Sequence, residues 1–265
     1  MVINKPIVGV AVLIFVLAAG GVYYLRSRNA PLPAAPAAPV AAVPAAPDSG
    51  ITHPLPTAAA GANPSEPLPV LADSDMPLRS ELARISSTDA VKDFLSPQDV
   101  IRKIVVTIDN LPRQKVAVEK RPVTAAAGTF VANGDELHAT LDQHNFERYK
   151  PMIAAINQVD MKQLGAVYIH YYPLFQESYQ NLGYPNGYFN DRLVEVIDNL
   201  LATPEPKQPI ELVRPNVMYT FADATLESRS AGQKLLIRMG PENAKVIKAK
   251  LTDLKAAITA AAPKH

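Results

Sequence analysis

The longest uninterrupted apolar run comes first. Residues 7–25 carry no charge over 19 positions, with Lys5 before them and Arg26 and Arg28 after. A run of that length crosses a bilayer core as a helix. A cleavable signal peptide is the competing reading, because Ala18, Ala19 and Gly20 are small enough for a cleavage site. The apolar run continues through Val22, Tyr23, Tyr24 and Leu25, however, and interfacial tyrosines suit an uncleaved anchor. The pattern then disappears. Residues 29–75 hold 11 prolines and 14 alanines with no Lys, Arg or aromatic residue, too little burial to offset ordering. A disordered Pro/Ala-rich tether with polyproline II character is predicted, reaching on the order of 140 Å at full stretch.

From residue 77 onward, apolar positions return at helical spacing between start and stop signals. Residues 77–95 read as one or two short helices. Ser96, Pro97 and Asp99 predict a capped helix carrying Val100, Ile101, Ile104, Val105 and Ile108, ended by Asn110, Leu111 and Pro112. Phe130, Val131 and Ala132 followed by Asn133-Gly134 suggest a hairpin whose second arm, residues 135–138, is poor strand material. Asn145 is expected to cap a helix through Tyr149, adjusted near Pro151. Asp160 is expected to cap a longer one ending at Gly183, with Leu164, Val167, Tyr168, Tyr171, Phe175 and Leu182 on its apolar face and Pro173 kinking or dividing it. Asn190 then caps a helix with the stripe Leu193, Val194, Ile197, Leu200 and Leu201, stopped by Thr203-Pro204. Residues 210–213 and 217–221 are the best strand candidates, and Pro215 argues that such a strand is an edge. Ser230 opens a helix that Gly240 closes, and Pro241 begins the last one.

These elements predict a mainly α chain in three parts. Residues 1–28 form a transmembrane anchor, residues 29–76 the tether, and residues 77–265 a single irregular helical domain with room for a small antiparallel β element. The last part, 189 residues long, is enough for one core. Its 23 Lys/Arg and 21 Asp/Glu are scattered, a balance of +2 that does not point to nucleic acid. With no cysteine, disulfides, zinc–thiolate sites, thiol nucleophiles and a lipid-bearing cysteine are excluded. Lys5 and the amino terminus balance Arg26 and Arg28, so charge does not orient the anchor. A long spacer favours placing the domain beyond the inner membrane, in a periplasm.

Candidate chemistry is sparse. The chain has no P-loop, G-x-G-x-x-G, G-x-S-x-G or H-E-x-x-H sequence. His138, Asp142, His144 and Glu147 fall close together but match no metal-ligand spacing, and solvated loop residues are the favoured account. His170 reads as a packed histidine beside an aromatic face. Of the 17 aromatics, 10 fall between Phe146 and Phe189. Most read as core, yet the turn over residues 184–192 brings aromatic, amide and charged groups to a helix N-terminus. Tyr184, Asn186, Tyr188, Asn190, Asp191 and Arg192, with Glu195 one turn on, are the candidate ligand- or partner-binding set. Asp191, Glu195 and Asp198 share one helix face, where carboxylates could do acid/base work or simply face solvent. No cofactor is implied. Lys245, Lys248 and Lys255 read as a soluble helix surface.

Three blocks carry a family likeness: residues 183–206 (GYPNGYFNDRLVEVIDNLLATPEP), 212–223 (LVRPNVMYTFAD) and 230–244 (SAGQKLLIRMGPENA). Together they resemble the bacterial domain-of-unknown-function family 3014, over about residues 78–259. The resemblance implies a bacterial envelope protein with an N-terminal hydrophobic segment and a Pro-rich stretch, and no catalytic residues to transfer. The function expected is a non-enzymatic, membrane-tethered binding or scaffolding module contacting an envelope protein or cell-wall component. The alternative is a hydrolase-like envelope enzyme using Asp191 or Glu195.

Overall fold

In the computed structural model the described residues are 50–56, 67–85, 98–114, 128–135, 138–215 and 218–259. They form a mainly helical body with a small four-stranded antiparallel sheet. Among them no helix is long and apolar enough to cross a membrane, and residues 7–25 lie outside the described set.

Two helices begin the body, α1 (Asp75–Ile85) and α2 (Val100–Asn110). The apolar stripe of α2 is buried as its spacing predicts, but its start differs from expectation. The helix opens at Val100 behind Asp99, which adopts a left-handed conformation (φ 56°). Its first donors are satisfied from outside: the Asp75 carboxylate of α1 accepts from Asp99 N and Val100 N, each at 2.8 Å. A carboxylate there also complements the positive end of the helix dipole. Ser96 and Pro97 lie outside the described residues.

The hairpin pairs β1 (Ala132–Asn133) with β2 (Ala139–Leu141), so the second arm begins beyond residues 135–138. Next come two short helices, α3 (His144–Glu147) and α4 (Lys150–Asn157). Asn145 is not their cap. It lies inside α3, where its Oδ1 accepts from Val131 N at 3.0 Å and its Nδ2 donates to Val131 O at 2.6 Å, fastening the hairpin.

Asp160 caps α5 (Met161–Asn181) by accepting from Lys162 N and Gln163 N. The helix runs through Pro173 undivided. The expected apolar face is buried except for Leu182, which lies past the helix end and is exposed. α6 (Phe189–Leu201) follows the 184–192 turn, and its stripe is buried except for the half-buried Leu201. The strands β3 (Glu211–Val213) and β4 (Thr220–Phe221) match the two expected segments. Sheet order is β1-β2-β3-β4, so β3 is internal rather than an edge. It pairs on both sides before the chain reaches Pro215, whereas β4 is the edge. A short α7 (Ala224–Glu227) leads to α8 (Ala231–Met239), opened by a reciprocal capping box between Ser230 and Gln233, and α9 (Pro241–Ile258) starts behind Gly240.

α5 and α9 share the largest contact between elements, and α2 and α6 pack around them. A second, smaller core lies beneath the sheet, from Ala139, Leu141, Leu212, Phe221 and Ile237. Residues 50–56 and 67–76, inside the stretch expected to be a spacer, lie against the body. Leu71 is buried, and Leu55 and Leu68 pack on the main core.

The α5–α9 contact is close because Gly165 has no side chain: a Cβ there would stand 2.7 Å from Ala257 Cβ. Gly165→Val is expected to lower unfolding stability by about 1–3 kcal/mol. Ala257→Gly in that background should recover part of the loss in urea titrations, after its own helix cost of about 1 kcal/mol. Absence of coupling between the two positions would show that the helices do not meet there.

Candidate functional site

Aromatic packing builds the head of α6. Phe189 is fully buried, its ring stacked on Phe175 at 5.8 Å and tilted against Tyr168 and Tyr179. Tyr184 folds back on Tyr179 with ring centroids 4.6 Å apart. The tight turn requires Gly187, whose added Cβ would lie 2.8 Å from Tyr179 Cε1. Gly187 N donates to Tyr184 O at 3.0 Å to close the turn.

Gln176, on α5, fixes this turn to the helix that follows. Its Nε2 donates to Gly187 O at 2.7 Å, and its Oε1 accepts from Phe189 N at 2.8 Å and from Tyr172 OH at 2.9 Å. The side chain thereby serves the first N–H of α6, and Asn190 is not the cap that was expected. Asn190 sits instead within the first turn, fully buried. Its Oδ1 accepts from Tyr168 OH at 3.1 Å, and its Nδ2 donates to Ile258 O at 3.2 Å and to His53 O at 2.8 Å.

The predicted residues divide into two groups. Tyr188, Asn190 and Asp191 converge on residues 52–55. Asp191 Oδ2 accepts from Thr52 N at 3.0 Å and Oδ1 from His53 N at 2.6 Å, while Tyr188 OH accepts from Leu55 N at 3.4 Å. Tyr184 and Arg192 turn the other way, toward Asp109 of α2, whose side chain is only 4% exposed. Asp109 Oδ2 accepts from Arg113 Nη2 at 2.7 Å and from Tyr184 OH at 3.3 Å, and Arg192 Nη2 lies 3.2 Å from Oδ1. Arg192 Nη2 also donates to Asp109 O at 2.7 Å, and its Nη1 donates to Glu195 at 2.8 Å. Asn186 is exposed at the tip of the turn.

The carboxylates of α6 do not meet. Asp191 holds main-chain amides, Glu195 pairs with Arg192 on an exposed surface, and Asp198 pairs with Lys255 of α9 at 2.5 Å. The histidine cluster also separates into local pairs. His144 Nδ1 lies 2.7 Å from Asp142, His138 pairs with Asp135, and Glu147 pairs with Lys150. Among the described residues no group of three or more such side chains could hold a metal ion. The backbone N–H of His144, then its ring, holds the Asp142 carboxyl below the usual aspartate range. His170 lies edge-on to Tyr171.

Asp109, Gln176 and Tyr172 were not among the sequence candidates. Asp109 could have been suspected from its place beside the apolar stripe of α2. Gln176 and Tyr172 carry no distinguishing pattern within α5.

Burial raises the phenols of Tyr168 and Tyr172 well above the ordinary tyrosine range and pushes Tyr179 up to about 12. The folded chain therefore holds these protons more tightly than the unfolded chain. Their stabilising contribution is complete below the unfolded tyrosine value near 10.0 and is lost as pH rises toward 12. Tyrosinate absorbance should accordingly show a late fraction rising together with loss of ellipticity. For Asp109→Ala, which leaves the largely buried Arg192 without its buried partner, a loss of about 3 kcal/mol is expected in denaturant titration. A loss under about 1 kcal/mol would mean that solvent already screens the cluster.

Two comparisons return no relative: no curated protein and no solved structure matches the chain. The model of a protein family described as "Protein of unknown function (DUF3014)" matches residues 100–255, a span that includes the head of α6, Asp109, the smaller core and most of the main one. The chain belongs to that family.

Proposed function

We propose that this protein is a non-enzymatic binding or scaffolding module of the bacterial cell envelope. In this reading, residues 7–25 anchor it in the inner membrane, and the helical body works in the periplasm on an envelope protein partner. The head of α6 is the docking face.

One observation carries the docking assignment. Tyr188, Asn190 and Asp191 make four hydrogen bonds to residues 52–55, and all four go to main-chain N–H or C=O groups. A face that satisfies the backbone of an extended segment is suited to taking up polypeptide, since main-chain contacts supply affinity whatever the side chains. The scattered carboxylates favour this reading over a hydrolase. Acid/base catalysis by a pair needs two groups within reach of one substrate, and Asp191, Glu195 and Asp198 each engage a different partner.

The test is a photo-crosslinking residue at the exposed Asn186 in living cells, in otherwise wild-type and Asp191→Ala chains. A discrete protein adduct in the first that is lost in the second is expected. No adduct, with no retention on isolated cell wall, would remove the binding reading. An alkaline-phosphatase fusion at the carboxyl terminus that stays inactive, while a cytoplasmic reporter there is active, would reverse the orientation.

A further inference from the structure

The segment already seated on the head of α6 belongs to the chain itself, and its composition describes what the face accepts. Thr52 and His53 present two successive N–H groups to the two oxygens of Asp191, and His53 O returns a bond to Asn190. Pro54 and Pro56 follow. Each proline biases the residue before it, His53 and Leu55, toward extended backbone, so the segment is partly pre-ordered for docking. Leu55 is the apolar anchor on the main core, and its N–H donates to the hydroxyl of Tyr188, whose ring pairs with Tyr172 at 5.4 Å. Thr52 is exposed, so the face reads its N–H and not its side chain.

The attachment is slight for its length. Gly50, Ile51, Thr52 and Pro54 are exposed, and Ile51 presents 59% of its surface to solvent. Ordering such a segment costs an amount comparable to what a few hydrogen bonds and one leucine return. Docking in cis prevails through high effective concentration, which a ligand of the same chemistry can overcome.

Resting on the reading of this face as a docking surface, we propose that residues 50–56 are a self-occluding strap. The ligand it excludes is an extended, proline-containing segment of another protein, with two free amides immediately before a Pro-x-Pro stretch. Binding of that segment displaces the strap from Asp191, Asn190 and Tyr188.

The test uses the full chain in detergent micelles and a fluorescent peptide of sequence GITHPLP. Thr52→Pro with His53→Pro removes both amides that Asp191 accepts, and Leu55→Asp is a second, independent way to release the strap. Each released chain is expected to bind the peptide at least tenfold more tightly than wild type. Asp191→Ala in either background should abolish that binding, and replacing both prolines of the peptide by alanine should weaken it at least fivefold. Equal binding by wild-type and released chains, with the amides of residues 52 and 53 shown by hydrogen exchange to be protected in wild type and free in Leu55→Asp, overturns the proposal. So does a wild-type dimer in sedimentation that both releasing variants convert to monomer, because the strap would then belong to a second copy. The two readings fail separately. Peptide binding without a cellular adduct leaves the strap intact and removes the envelope partner, whereas an Asp191-dependent adduct without peptide binding does the reverse.

Discussion

A buried amide has donors and an acceptor to place, and leaving one unmade costs more than making it gains. Asn190 places its side-chain groups on three parts of the protein: the Tyr168 hydroxyl of α5, the last carbonyl of α9 and the His53 carbonyl of the strap. The first two partners set where α6 begins relative to the two helices that share the principal core. The third is available only once that position is correct. Assembly of the head of α6 is thus coupled to packing of the body, and Phe189 beside it supplies the apolar burial that holds the amide in place.

On the opposite side of the same turn, charge does what the amide does on the first. Asp109 is nearly inaccessible and is compensated by Arg192 and Arg113, with the Tyr184 hydroxyl completing its shell. Burial lowers the affinity of the Arg192 guanidinium for its proton, but Glu195 and Asp109 outweigh it and the net shift is upward. Arg192 therefore stays charged, and α6 is pinned to α2 by a cation that bridges a buried and an exposed carboxylate. The 184–192 turn is consequently held from two sides, which keeps Tyr188 and Asp191 in fixed positions before anything docks on them.

Local signals were legible in the sequence, and remote ones were not. Asp160, Ser230 and Gly240 act within one helical turn of themselves, so spacing alone locates the helices they begin or end. The start of α2 was misplaced because its cap, Asp75, lies in another helix. Asn145 and Asn190 have the chemistry of caps, yet tertiary partners claim both side chains. Pro215 correctly marks the end of a strand but says nothing of how many neighbours that strand has already paired with. The candidate turn itself was identifiable from its mix of aromatic, amide and charged residues. Its occupant was hidden, because residues 50–56 sit in a composition that predicts disorder and dock through N–H and C=O groups, which every sequence possesses.

The strap also decides where mechanical load enters the molecule. Among the described residues, tension applied at Gly50 meets the paired amides on Asp191 before it can act on α1. Two parallel hydrogen bonds to one carboxylate are loaded together, ahead of the Asn190 and Tyr188 bonds behind them. Residues 50–56 then come away while the helical core remains intact, as a fuse opens ahead of the circuit it protects.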